Sequence, residues 1–209
     1  MNVSAEAVAA KAASLLLRYP DETVLASLSI LRDAVAVLPD ELSTPLGLVA
    51  VHRAATHPTI LATEYVELFD LRRRCCLFLS YYTAGDTRNR GQALLHFASA
   101  FRTAGFELEE GELPDYLPAV LELAAEAGEP GWRLLREHRI GLDLLEQALA
   151  AQGSVYRHAV RVITSLLPAA GPAELAAAAA LARTGPPRET VGLEPFPLNP
   201  SGLNIGGRR

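Results

Sequence analysis

YVELFDLRRRCCLFLSYYTAGDTRNRG, residues 65–91, decides the fold. Its first residues continue a helical pattern. Leu61, Tyr65, Leu68 and Phe69 fall within roughly 100° of a helix circumference at 3.6 residues per turn. The middle, CCLFL, is apolar on every side, which is the pattern of a helix at the centre of a core. The spacing predicts one helix from Arg72 to Thr83, with Gly85 placed to end it. Nothing in the stretch alternates with the period of two that a half-buried strand requires.

The same period extends in both directions. Towards the N-terminus, Ser4 can cap a helix running to about Arg18, with Pro20 beyond it. Asp21 can cap a second, with Leu25, Leu28 and Leu31 spaced by threes toward Val35. A third is read from about Pro45 to Ala55, and Pro58 suits the first turn of a fourth. Towards the C-terminus, Thr87 to Ala104 forms a helix. Gly105 can take the left-handed C′ position, with Phe106 folding back on Phe101. The acidic loop ELEEGELP, residues 107–114, leads into a helix that Asp115 can cap, with Pro118 in its first turn. Two helical stretches follow to Ala151, bent near His138 to Gly141. Ser154 caps another, and Pro172 starts an Ala-rich last one. After Gly185 the period stops, and Pro and Gly dominate. The reading is an all-α fold: one compact multi-helix domain over residues 1–184 and an extended or disordered tail over 185–209.

Composition narrows the function. The 209 residues are 50% hydrophobic but only 6% aromatic, so the core is built from Leu, Ala and Val. A net charge of −5 argues against general nucleic-acid binding, which needs a basic surface. No run of about 18 apolar residues spans a membrane, and no basic segment precedes the apolar part of the N-terminus as in a secretory signal. The two cysteines, Cys75 and Cys76, are neighbours and make no disulfide framework. A cytoplasmic protein is expected.

Chemistry-bearing patterns are few. Adjacent cysteines on a helix point about 100° apart, and the five histidines lack ligand spacing, so no metal site is expected. No G-x-S-x-G and no complete P-loop occurs, so no catalytic residues are assigned and no enzyme is expected. The arginines Arg72, Arg73 and Arg74 are more informative. With Glu64, Glu67, Asp70 and Asp86 close in sequence and opposite in charge, and Arg88 and Arg90 adding to the cluster, they read as a salt-bridged corner between helices, a patch for an acidic ligand such as phosphate, or a nucleic-acid grip. Glu107, Glu109, Glu110, Glu112 and Asp115 read as a solvated loop, or as the acidic rim of an apolar groove for a basic amphipathic peptide.

The run from Tyr65 to Gly91, followed by GFELEEGELPDYLP from Gly105 to Pro118, resembles the NarJ group of the TorD/DmsD/NarJ redox-enzyme maturation chaperones. The likeness extends over roughly residues 5–185. It implies an all-helical, cytoplasmic, non-catalytic chaperone for the catalytic subunit of respiratory nitrate reductase. Such a protein binds the subunit's N-terminal peptide and holds the apoenzyme until the molybdenum cofactor is inserted. It binds no cofactor stably itself. Contact with cofactor-biosynthesis proteins is also implied, and membrane association only through the client.

Residues carry over by motif. The family's aromatic-x-x-Leu-Phe element matches Tyr65, Leu68 and Phe69. Its hinge element, an acid followed by Pro-Asp-His, matches Glu112, Pro114 and Asp115. Tyr116 stands where the family has histidine, so the ring is kept and titration near neutral pH is lost. The resemblance implies a groove in which Tyr65, Leu68 and Phe69 meet the client, with Glu110 and Asp115 facing its basic residues. Plain core packing is the alternative for the three apolar positions. For the whole chain, the alternatives are a helical regulatory or scaffold protein with a folded partner, and an enzyme acting on an anionic ligand at the arginine cluster.

Overall fold

The computed structural model describes residues 4–85 and 88–184. Asp86 and the expected tail, 185–209, lie outside the described residues. Among those described there are twelve α-helices and no strand.

Helix α1 (Ala5–Leu17) is capped by Ser4, whose Oγ accepts from the Ala7 amide at 3.2 Å. Its alanines 9, 10 and 13 are fully buried. Their small side chains let α8 (Leu117–Ala127) lie close alongside it, and Ser14 Oγ donates to the Pro118 carbonyl at 2.7 Å. Lys11 reaches Glu122 and, at 3.0 Å, Glu126 across the same seam. Helix α1 also packs against α3 (Leu28–Ala36), α4 (Asp40–Ala55) and α11 (Arg157–Leu166), so it runs through the middle of the core.

Several boundaries differ from the pattern-based reading. The second helix is two: α2 (Glu22–Ala26) ends at Ser27, whose Oγ donates to the Val24 carbonyl and competes with the helical ladder. Helix α4 begins at Asp40, not near Pro45. Asp40 and Glu41 complement the positive end of the dipole, and Pro45 is tolerated inside. The helix expected from Arg72 to Thr83 is absent. Helix α5 (Pro58–Tyr65) instead widens into a π-helical turn, Val66–Asp70. A 3-10 turn, Arg73–Cys75, follows, then an extended run to Phe78 and a short helix α6 (Leu79–Ala84). The all-apolar CCLF is thus no α-helix: Cys75 closes the 3-10 turn and Cys76 to Phe78 lead on outside any helix, with Cys75 and Leu77 buried and Cys76 and Phe78 half-buried, a pattern periodicity alone does not separate from a helix.

The Gly105 stop forms as expected. Helix α7 (Arg88–Thr103) ends with Gly105 at φ 78°, and the Phe106 amide donates to the Phe101 carbonyl at 3.0 Å. Asp115 does not cap α8, because the capping position is Tyr116. Gly128 separates α8 from α9 (Glu129–Glu137), and a break at His138 begins α10 (Arg139–Ala151), where the bend was expected. Helix α12 (Pro172–Thr184) packs on α10.

Candidate functional site

Both sequence elements singled out above meet beside α1. The π-helical turn is closed by the Leu71 amide donating to the Val66 carbonyl at 3.0 Å, five residues back. It leaves Tyr65 and Phe69 facing inward, each 4% exposed, with ring centroids 4.8 Å apart. Phe69 continues the stack to Tyr156 at 5.2 Å. Leu68 is half-buried, and Leu71 is 72% exposed.

The hinge comes to this wall through backbone and side-chain bonds. Leu79 N–H donates to the Asp115 carbonyl at 2.9 Å and Leu117 N–H to the Leu77 carbonyl at 2.7 Å, an isolated antiparallel bridge centred on Phe78 and Tyr116. The Tyr65 and Tyr116 hydroxyls are 2.9 Å apart, and Tyr65 Oη also lies 3.1 Å from the Leu17 carbonyl. That carbonyl only accepts, so Tyr65 donates there and receives the proton of Tyr116. Burial, reinforced by the neighbouring hydroxyl, pushes the Tyr65 phenol well up, so it stays neutral. Burial also raises Glu112, against the pull of Arg18, whose Nη2 is 3.2 Å from its Oε1. Glu110 is exposed and Pro114 half-buried.

Asp115 is fully buried, so it contributes no carboxylate to a solvent-facing rim. Its Oδ2 accepts from Ser80 Oγ at 2.5 Å and lies 3.6 Å from Arg90 Nη2, while Oδ1 has no hydrogen-bond partner. The Arg90 guanidinium sits 5.5 Å above the centre of the Phe78 ring. Asp115 therefore ties the hinge to α6 and α7. Sequence proximity to a helix start masked this role, because Ser80 and Arg90 approach only through the fold.

Among the described residues, Arg72, Arg73 and Arg74 form no ion pair of the expected salt-bridged corner. Glu64, one of their expected partners, pairs with His52 at 3.0 Å. Arg72 Nη1 donates to the neutral Gln152 Oε1 at 2.6 Å. Arg72, Arg73, Arg74 and Asp70 are all exposed. Asp86 and the Arg88 side chain lie outside the described residues.

Two concavities flank the Arg72–Gln152 contact. On one side is a groove of about 360 Å³, with Glu64, Glu67 and Leu68 on one wall and Ser154, Val155 and Tyr156 opposite. Its lining is mixed: Leu68, Val155 and Tyr156 supply apolar surface, Glu64 and Glu67 carboxylates, and His52, Arg72 and Gln152 further polar groups, while none of the hinge acids lines it. On the other side is a cavity of about 440 Å³, which takes Arg72, Arg73 and Arg74 on one wall and α10 on the other. Among the described residues no cluster of His, Cys, Asp and Glu is arranged to hold a metal ion, and no helix is long and apolar enough to cross a membrane. Burial raises both cysteine thiols, Cys76 to about 11.

One residue escaped the sequence reading. Arg53 is 1% exposed and donates to the Leu16 carbonyl at 2.7 Å and the Arg18 carbonyl at 2.9 Å. It closes the C-terminus of α1, whose last turn carries no basic residue of its own. Its signal was available: Leu46, Val49, Ala50 and Arg53 share one helical face.

Comparison with known proteins agrees with this architecture. The family described as "Nitrate reductase delta subunit" matches residues 31–161. "Nitrate reductase-like protein NarX" of Mycobacterium tuberculosis is 39% identical over 152 residues, covering 72% of this chain and 23% of that much longer one. "Probable nitrate reductase molybdenum cofactor assembly chaperone NarJ" of Bacillus subtilis is 30% identical over 172 residues, covering 80% of this chain and 92% of the relative. The crystal structure of an Archaeoglobus fulgidus protein described as a redox enzyme maturation protein superposes with a TM-score of 0.56 at 23% identity, covering 79% of this chain and 94% of that one. That likeness shows a shared fold. With the family match spanning most of the chain and the NarJ relative aligned over nearly its full length, the chain belongs to the nitrate reductase delta subunit family.

Proposed function

We propose that this protein is a cytoplasmic, non-catalytic assembly chaperone. It binds the N-terminal peptide of the apo catalytic subunit of nitrate reductase and holds that subunit while the molybdenum cofactor is inserted. The alignment with NarJ of Bacillus subtilis, named as such a chaperone, over 92% of that protein carries the reading. The groove beside Leu68 supports it. An amphipathic client segment buries apolar side chains against Leu68 and Val155, gaining roughly 25 cal/mol per Å² before ordering costs. Basic residues of the segment meet the exposed Glu67 at the edge. In this reading Tyr65, Phe69 and Tyr116 back the groove from inside. Glu112, Pro114 and Asp115 fix the hinge that holds them, and Glu110 adds negative charge outside.

Titration calorimetry with the client's N-terminal peptide tests the proposal. Saturable binding in the micromolar range, weakened by salt, is expected. No heat at peptide concentrations in the tens of micromolar would count decisively against peptide capture and favour a scaffold whose partner is a folded protein.

A further inference from the structure

We propose that the cavity between the Arg72–Cys75 turn and α10 is a second binding site, for a small phosphate-bearing molecule with an apolar body. This does not rest on the client-peptide reading, which concerns the groove on the other side of Arg72.

Three consecutive arginines, Arg72, Arg73 and Arg74, line one cavity of about 440 Å³, a size in the range of small-molecule sites. Like charges held side by side repel, and proteins normally offset this with carboxylates. Here, among the described residues, no carboxylate lies within ion-pair distance of Arg72, Arg73 or Arg74. The side chain that Arg72 meets is the neutral amide of Gln152. By contrast Arg18 meets Glu112, Arg90 meets Asp115, Arg136 meets Glu129 and Arg139 meets Asp143. What distinguishes Arg72, Arg73 and Arg74 from the other arginines without a carboxylate partner is that the three line one cavity together.

The turn that presents the arginines is held firmly. Tyr82 Oη lies 3.0 Å from the Arg74 carbonyl and 2.9 Å from the Cys76 carbonyl. Gly141 lets α10 approach that ring, since a Cβ there would stand 3.2 Å from Tyr82 Cδ2. The opposite wall is apolar: Leu144, Ala148 and Ala151 of α10, with Leu181 of α12. An inorganic ion would use only the arginine side. A phosphate monoester would place its oxygens on the guanidinium forks and its carbon body on the α10 wall. Gln147 and Gln152 add neutral hydrogen-bonding groups at the border.

The probes are inorganic phosphate, phenyl phosphate and phenol, titrated at constant ionic strength into the full chain and followed by the NMR signals of the arginine Nε–H and glutamine side-chain amides. Phenyl phosphate is expected to bind about tenfold more tightly than inorganic phosphate, because only it buries apolar surface. Phenol alone is expected not to move the arginine signals. R73A/R74A is expected to weaken phenyl phosphate about tenfold or more through lost charge-assisted bonds. If that variant does not fold by circular dichroism, Q152E puts a carboxylate at the cavity border and is expected to weaken the same probe. Equal affinity for the two phosphates would overturn the apolar part of the site. Wild-type affinity in the folded double variant, or in Q152E, would overturn the site itself. Binding of an acidic peptide with no response to phenyl phosphate would also overturn it, in favour of a protein partner.

Discussion

The hydroxyl groups of Tyr65 and Tyr116 lie 2.9 Å apart and join the two sequence elements that define the family resemblance. Tyr65 also reaches the Leu17 carbonyl at the end of α1, so three chain segments meet at one pair of phenols. Tyr65→Phe removes both bonds and leaves a buried helix-end carbonyl without that donor. Tyr116→Phe removes one. Urea unfolding should show a loss of about 2 kcal/mol for the first and about 1 kcal/mol for the second. Equal losses would mean that the Leu17 contact contributes nothing.

The hinge aspartate gives the next prediction. Asp115 is fully buried between Ser80 and Arg90. Asp115→Ala should cost about 3–5 kcal/mol, the usual penalty for breaking a buried charge pair. Ser80→Ala should cost about 1.5–3 kcal/mol, as one hydrogen bond to a charged group. The double variant should lose less than the sum, since both remove the same contact. Additive losses would show that the two side chains act separately.

Two glycines separate packing from propensity. A Cβ on Gly131 would stand 2.2 Å from the backbone nitrogen of Ala124, so Gly131→Ala must force α8 and α9 apart. A loss of at least about 3 kcal/mol, or failure to fold, is expected. Gly47 lies inside α4, with nothing within 4 Å of an added Cβ. Gly47→Ala should stabilise by about 0.5–1 kcal/mol. Thermal melts of both variants check the contrast.

These residues mark where the sequence was legible. Helix-forming segments with one apolar face, such as those of α1, α7 and α8, read correctly, because local spacing and turn residues determine them. The Gly105 stop read correctly for the same reason. The stretch from Val66 to Phe78 did not. A π-helical turn adds one residue to a helix without changing its composition, and a short non-helical run against the core is as apolar as a central helix. Asp115 was read as a cap because an aspartate before a helix usually is one. Its partners Ser80 and Arg90 are supplied by tertiary structure. Glu64 was misplaced for a related reason: it was read as a partner for the arginines, and the fold brings it to His52 instead.

Acidification should weaken the fold through His138. Burial lowers its pKa, and the hydrogen bond to the Leu134 carbonyl at 2.9 Å only partly opposes this. The ring packs 4.6 Å from Phe97. A depressed histidine binds fewer protons folded than unfolded, so stability is fully present above the ordinary value of 6.5 and falls as the pH drops through the lower folded value. Stability measured from pH 7.5 to 5 should fall less in His138→Gln than in the unsubstituted chain. Identical pH profiles would place the acid sensitivity elsewhere.

Peptide binding and core packing should separate along one helical segment. Phe69 is buried against Tyr65 and Tyr156, so Phe69→Ala should lose about 3–5 kcal/mol of stability. Leu68 and Glu67 instead face the groove, and neither is fully buried. Leu68→Ala should weaken the client peptide by about tenfold through lost apolar contact while leaving the unfolding midpoint nearly unchanged. Glu67→Lys should also weaken it, with most of the effect vanishing at high salt, because an exposed charge acts through a screened field. Arg73→Ala lies on the far side of the Arg72–Gln152 contact and should leave peptide affinity intact. Calorimetry and urea melts on the same four variants distinguish the outcomes. If Leu68→Ala and Glu67→Lys both bind as tightly as the parent, the client does not use this groove, whatever Phe69→Ala does to the fold.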